Sequence, residues 1–181
     1  MTTTLATGHP VHFGAEESYD CRDLPPLADV AAFLEKEADL LDEGRFADWA
    51  ALFEEEGLYW MPASPDQPDP YEHVSLMFED TLLRAVRIRR FAHEDAYSLQ
   101  PMPRSFHLVS APRILGRSHE DGRLVVRSKL MVIQYRRDEQ QVFGAWVTHR
   151  LSGTAPDFRI GLKKVELVNC DAAQGPIQVY F

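Results

Sequence analysis

Asp42, Tyr59 and His107 are the side chains of this sequence best suited by type to move a proton. A histidine and a carboxylate that share a dry pocket shift each other's pKa and can act as acid and base, with a tyrosine hydroxyl as a third group. Each also has an unreactive reading. His107 alternates with Val109 and Ala111, which suits a core histidine bonded to a backbone carbonyl. Asp42 beside Glu43 and Gly44 fits a solvated helix end, and Tyr59 next to Trp60 fits an aromatic core. His149 alternates with Val147 and Leu151 and has the same core reading. Glu37 interrupts an apolar stripe; buried, it needs a partner such as an arginine, whereas at the edge of the stripe it is ordinary.

Other chemistries find less support. His9 and His12 are the histidine pair at ligand spacing, and they lie in a polar arm, where such a pair binds no specific metal more often than it does. Cys21 and Cys170 stand in no metal or redox spacing and read as free thiols of a reducing cytoplasm. The run Arg84, Arg87, Arg89, Arg90 could meet nucleic acid, but the 181-residue chain carries a net charge of −9 and a pI near 5.2. That balance argues against a polyanion or an anionic membrane as partner. Asp80 and Arg84 fit an i,i+4 pair on a solvated helix. No apolar run is long enough for a membrane span, and the first residues lack the pattern of a signal peptide.

The elements that must position these residues are readable from periodicity. Residues 1–24 are polar, carry Gly and Pro, and read as a flexible arm before a single domain over 25–181. Val30, Phe33, Leu34, Ala38 and Leu41 share one face of a helix that begins near Leu27 and ends at Gly44. Phe46, Trp49, Ala50 and Phe53 give a shorter helix, GLYWMP a strand, and the proline-dense ASPDQPDP a loop. A third helix is expected over Ser75 to Phe91, with Phe78, Leu82, Ala85 and Val86 inward. From Arg104 onward the pattern is strand, in blocks 104–115, 122–137, 140–152 and 157–169.

Two strand details carry more. Leu124, Val126, Leu130 and Val132 face one way, while the other face turns apolar at Met131, Ile133 and Tyr135, so a fold-back of the chain or another subunit should cover it. Phe158, Ile160 and Leu162 alternate on one parity and Val165 and Leu167 on the other, which places a bulge at Lys163-Lys164. Three helices followed by long, bent antiparallel strands make an α+β chain, a cone-shaped sheet wrapped around three N-terminal helices as in ketosteroid isomerase and nuclear-transport-factor-like (cystatin-like) proteins. Ile177, Val179 and Phe181 alternate with Gln178 and Tyr180. Such a segment should pair at a sheet edge or dock into a neighbour, and those three residues are the expected assembly contacts.

The block LLDEGRFADWAALFEEEGLYWMP, followed by RSFHLVSAPRIL, VRSKLMVIQYRR, QVFGAWVTHRL and IGLKKVELVNCD, resembles the small (beta) subunit of aromatic-ring-hydroxylating dioxygenases from about Val30 to Phe181. HVSLMFED, PMPRSFH and KKVELVN are closest to the branch acting on benzoate-like acids. QVFGAWVTHRL and VNCDAAQG depart from the usual wording, which bears on the branch more than on the family.

The resemblance implies a non-catalytic structural subunit in a hetero-hexamer of three large and three small chains, cytoplasmic, without nucleic-acid or membrane partners. It implies cis-dihydroxylation of an aromatic ring by the large (alpha) subunit, which would carry a Rieske [2Fe-2S] cluster and a mononuclear Fe(II), with NADH electrons arriving through a separate reductase. This chain has neither ligand set. A Rieske centre needs two Cys and two His in paired short spacings, and the iron site two His and a carboxylate. No catalytic, cofactor-binding or metal residue is therefore expected here. The cone fold also hosts scytalone dehydratase and ketosteroid isomerase, so a stand-alone lyase or isomerase using Asp42, Tyr59 and His107 is the alternative. A plain ligand-binding cone protein is a third reading.

Overall fold

The structure, a computed structural model, describes residues 18–92, 100–173 and 175–181. Helix α1 spans Leu27–Asp42 and buries Val30, Phe33, Leu34, Ala38, Leu40 and Leu41, the stripe its periodicity demands. Its end is a Schellman turn: Arg45 N–H reaches Leu40 C=O at 2.8 Å and Gly44 N–H reaches Leu41 C=O at 3.2 Å. Gly44 has φ +69°, a conformation a side chain would strain. That turn fixes Asp42 on the last helical residue and aims the chain into α2, Phe46–Ala50, whose Trp49 is buried.

Seven strands form one sheet in the order β1-β4-β5-β6-β7-β2-β3. They are β1 Tyr19–Asp20, β2 Phe53–Pro62, β3 Ser75–Glu79, β4 Arg104–Ser118, β5 Leu124–Arg136, β6 Glu139–Ser152 and β7 Arg159–Leu167. All neighbours are antiparallel except β2 and β7, which run parallel. The sheet curls around α1, and its inward residues join Phe33, Leu34, Trp49 and Leu41 in the main core cluster.

Four elements differ from expectation. Residues 75–79 form β3, paired with β2, and the third helix, α3, spans only Thr81–Ala92. Its orientation is also reversed: Leu82 and Val86, expected inward, are 67% and 45% exposed, while Arg84 is 1% exposed. Arg84 donates from Nη1 to Gly57 C=O at 3.1 Å and stacks 3.9 Å above the Phe53 ring. Asp80 instead caps the helix, its Oδ1 accepting Leu83 N–H at 2.8 Å. A basic residue that finds a carbonyl and an aromatic face thus outcompetes the leucines for the interior.

The irregularity expected at Lys163-Lys164 lies at Gly161, between the pairs Leu151↔Ile160 and Arg150↔Leu162. A Cβ at Gly161 would collide with the Arg123 guanidinium, which Glu54 and Asp121 hold in place. The shift turns Lys163 inward. Part of the segment expected as a flexible arm over 1–24 is strand: Tyr19 and Asp20 pair with Ser118 and Arg117. Finally, no fold-back among the described residues covers Met131, which is 46% exposed.

Candidate functional site

Inside the curled sheet two histidine–carboxylate pairs face one small cavity of about 10 Å³, lined by Leu34, Glu37, Leu41, His107, His149 and Lys163 among others. That volume holds about one water molecule.

The first pair joins the end of α1 to β4. Asp42 Oδ1 lies 2.6 Å from His107 Nδ1 and accepts the Ser105 hydroxyl at 3.0 Å, while Oδ2 accepts His107 N–H at 2.9 Å. His107 Nε2 donates to Tyr180 C=O at 2.9 Å. Burial pushes the Asp42 carboxyl up, but hydrogen bonds from the His107 ring and backbone outweigh it and leave the group below the ordinary carboxylate range. Both ring nitrogens of His107 thus face an acceptor, a carboxylate on one side and a backbone carbonyl on the other.

The second cluster was less legible. Glu37 is 2% exposed, and its partner is a lysine rather than an arginine. Oε1 accepts Lys163 Nζ at 2.7 Å and Trp49 Nε1–H at 3.1 Å; Oε2 accepts His149 Nε2–H at 2.9 Å. Burial raises the Glu37 carboxyl, but the charges of Lys163 and His149 hold it well below its usual range. Burial pushes the Lys163 ammonium down, against the pull of Glu37. His149 Nδ1 is buried without a hydrogen-bond partner and belongs to the residue lining the cavity.

Tyr59 does not join either pair. Its hydroxyl donates to Met61 Sδ at 3.3 Å and accepts Phe181 N–H at 3.2 Å. Burial raises its pKa, and that of Tyr180, where the Glu79 carboxylate adds to the effect, so both hydroxyls stay protonated. Asp42 and His107 are therefore brought together, and Tyr59 is placed elsewhere.

What fills the cone is its own last segment. Val179, Tyr180 and Phe181 are buried in this chain. The Tyr180 ring lies 4.4 Å from Trp49 and 5.4 Å from Tyr59, and Phe181 meets Phe143 edge-on at 5.0 Å. The Tyr180 hydroxyl donates to Glu79 Oε2 at 2.9 Å, and Arg87 pairs with the other Glu79 oxygen. Ile177, Val179 and Phe181 thus sit in or against the interior, not on a sheet edge. Tyr180, which alternation put on the opposite face, is the most connected residue of the segment.

Chemically, every oxygen of Glu37 and every ring nitrogen of His107 is occupied by a protein group, and no aromatic substrate fits 10 Å³. Among the described residues no group of three His, Cys, Asp or Glu side chains is placed to hold a metal ion. His9 and His12 lie outside the described residues.

The sequence model of a family described as "Ring hydroxylating beta subunit" matches residues 36–173. The 2-halobenzoate 1,2-dioxygenase small subunit of Burkholderia cepacia is 29% identical over 157 residues, 84% of this chain and 93% of its own. The small oxygenase component of the p-cumate 2,3-dioxygenase system of Pseudomonas putida is 28% identical over 159 residues, 82% of this chain and 78% of its own. In fold, the chain is similar to the beta subunit of the benzoate 1,2-dioxygenase from Burkholderia mallei, with TM-score 0.67, 22% identity, and 81% and 93% of the two chains covered. Naphthalene 1,2-dioxygenase gives TM-score 0.72 at 17% identity, covering 89% and 90%.

Proposed function

The chain belongs to the ring-hydroxylating beta subunit family and is a component of an aromatic-ring dioxygenase system, an oxidoreductase; from that premise we propose that it is the non-catalytic subunit that scaffolds the large chains. The observation that carries this reading is the filled interior. An apolar cavity that admits benzene measures roughly 150 Å³. Here the cavity between the two histidines measures about 10 Å³. The interior is a solid body, and the polar atoms of Glu37 and His107 bond protein groups. Ile177, Val179 and Phe181 then serve assembly by completing that body.

The rest of the reading is carried over from the family resemblance. Three small and three large subunits assemble in the cytoplasm, the large subunit holding the Rieske cluster and the mononuclear iron, with NADH electrons relayed by a reductase. The relative named for 2-halobenzoate points to an aromatic acid as the ring that is cis-dihydroxylated. The alternative, a lyase using Asp42, Tyr59 and His107, has one observation in its favour, the 2.6 Å contact of Asp42 with His107.

The test is purification from the native host with native mass and iron content, then His107→Ala in the assembled enzyme. The scaffold reading expects a second, larger, iron-bearing chain, no turnover by this chain alone, and turnover per iron within about twofold of the parent. A metal-free particle of this chain alone, or a loss of orders of magnitude in turnover on His107→Ala, would sink it.

A further inference from the structure

The last segment of the chain is held the way a bound peptide is held. No strand forms over residues 175–181. The hydrogen bonds that its backbone makes end on side chains. Gln134 Nε2 donates to Pro176 C=O at 3.1 Å, and Gln134 Oε1 accepts Gln178 N–H at 2.8 Å. His107 Nε2 donates to Tyr180 C=O at 2.9 Å, and the Tyr59 hydroxyl accepts Phe181 N–H at 3.2 Å. The segment can therefore leave without breaking a sheet ladder, as a local opening.

The Tyr180 side chain defines what its pocket recognises. The walls are aromatic: Trp49 at 4.4 Å between ring centres, Tyr59 at 5.4 Å, and the stacked pair Phe91 and Phe46 at 6.0 and 6.3 Å. One polar group meets the ring's hydroxyl. Glu79, 4% exposed at the end of β3, accepts it through Oε2 at 2.9 Å. Arg87 of α3 pairs with the other Glu79 oxygen, so the carboxylate is fixed independently of the hydroxyl it receives. A buried carboxylate at the end of an aromatic slot accepts a neutral donor and repels an anion in low dielectric. A ring without a hydroxyl leaves that carboxylate without its donor. The slot therefore selects phenols over plain arenes and turns benzoates away. Arg87 and Phe91 also line an open groove of about 240 Å³ with Arg90, Ile177 and Val179, so the slot lies beside a way in from the surface.

We infer that the slot around Tyr180 is a binding site for free phenols, with Tyr180 as its resident occupant and the tail as a built-in ligand that a phenol displaces. This goes beyond the scaffold reading and concerns a site on this chain alone. The side chain of a tyrosine beyond its Cα is 4-methylphenol, which makes that compound the natural probe. Tyr180→Gly keeps the backbone and leaves a void of that shape beside Glu79 and Arg87.

The test uses the full chain in complex with its large subunit, as the parent and as Tyr180→Gly. A large subunit that handles aromatic rings also binds such probes, so every shift is taken relative to the parent complex. If no large subunit co-purifies, the scaffold reading fails, and the same comparison on this chain alone still decides the phenol site. At millimolar 4-methylphenol the melting midpoint of Tyr180→Gly should rise by about 5 °C more than that of the parent. Toluene should give less than half of that difference and 4-methylbenzoate none. Equal shifts from toluene and 4-methylphenol, or no shift from either, overturn the inference. Should Tyr180→Gly not be recovered, it is expressed with each probe in the medium; recovery with 4-methylphenol alone supports the site, and any other pattern overturns it. In the parent, 4-methylphenol should speed amide exchange over Val179 to Phe181 by about threefold or more, read by mass spectrometry, and leave β5 unchanged. A tail whose exchange does not change, or an acceleration that spreads to β5, refutes displacement.

Discussion

Glu37→Leu strands a lysine. Glu37, His149 and Lys163 are each 3% exposed or less, and the carboxylate is the anion that holds the Lys163 ammonium. Removing one partner of a buried pair costs about 3–5 kcal/mol, because the other charge is left in low dielectric. Trp49 Nε1–H and His149 Nε2–H also lose their acceptor, at about 1 kcal/mol each. Adding Lys163→Met removes the stranded charge, so the double variant should lose only those two hydrogen bonds, about 2 kcal/mol. Relative to Glu37→Leu the double variant should therefore recover about 3–5 kcal/mol, the cost of the stranded charge. Urea unfolding of the parent, both singles and the double at pH 7 measures it. A double variant whose loss equals the sum of the singles within about 0.5 kcal/mol refutes the buried pair. Acid titration gives a second reading. The Glu37 carboxyl is depressed in the folded state, so its stabilisation is complete above the unfolded value near 4.3 and drains away as pH falls toward the folded one. In Glu37→Leu that part of the acid limb should vanish.

The Asp42–His107 clamp makes the same kind of prediction at the other end of α1: the folded Asp42 carboxyl is depressed, so Asp42→Asn should cost stability at pH 7 and progressively less below about pH 4, measured as the gap between two acid-unfolding curves. Phe181→Ala should lower stability by about 3–5 kcal/mol, and deleting Gln178 to Phe181 should weaken recovery of the assembled complex; a truncated chain that assembles as well as the full one ends the case for the tail. Gly57→Ala should cost about 2 kcal/mol or more in a thermal melt, since its Cβ would stand 2.5 Å from the Ile160 carbonyl, backbone against backbone.

Periodicity made α1 and the four long strands readable, because each buries one face along its whole length and neighbours agree with it. It failed at α3 and β3. SLMFE is too short to show an alternation, and the spacing of Leu82 and Val86 reads as a core stripe although those residues point outward. Arg84 inside and Leu82 outside is a choice made by Gly57 C=O and the Phe53 ring, which no local rule contains. At the site, Asp42 and His107 were nameable because helix end and strand alternation place them. Lys163 was not, since its inward turn depends on the slip at Gly161. The interrupted stripe at Glu37 and the parity break in β7 were the two signals, and joining them needed the fold. Tyr180 escaped because alternation assigns faces only to residues in a strand, and its segment is not one.

The parallel pairing of β2 with β7 has a consequence for synthesis. Phe53 meets Ile160, and Glu37 meets Lys163 across a separation of 126 residues. While a ribosome is still making the middle of the chain, α1 and α2 therefore hold an uncompensated carboxylate and an unclosed aromatic floor. The β2–β3 hairpin waits beside them for a neighbour that does not yet exist. Closure waits for β7, which pairs between β6 and β2, and for Tyr180 beyond it. Contacts of such long range slow folding and lengthen the exposure of apolar surface. A nascent chain of this design is more dependent on chaperones, and on the prompt arrival of its partners, than its finished form would indicate.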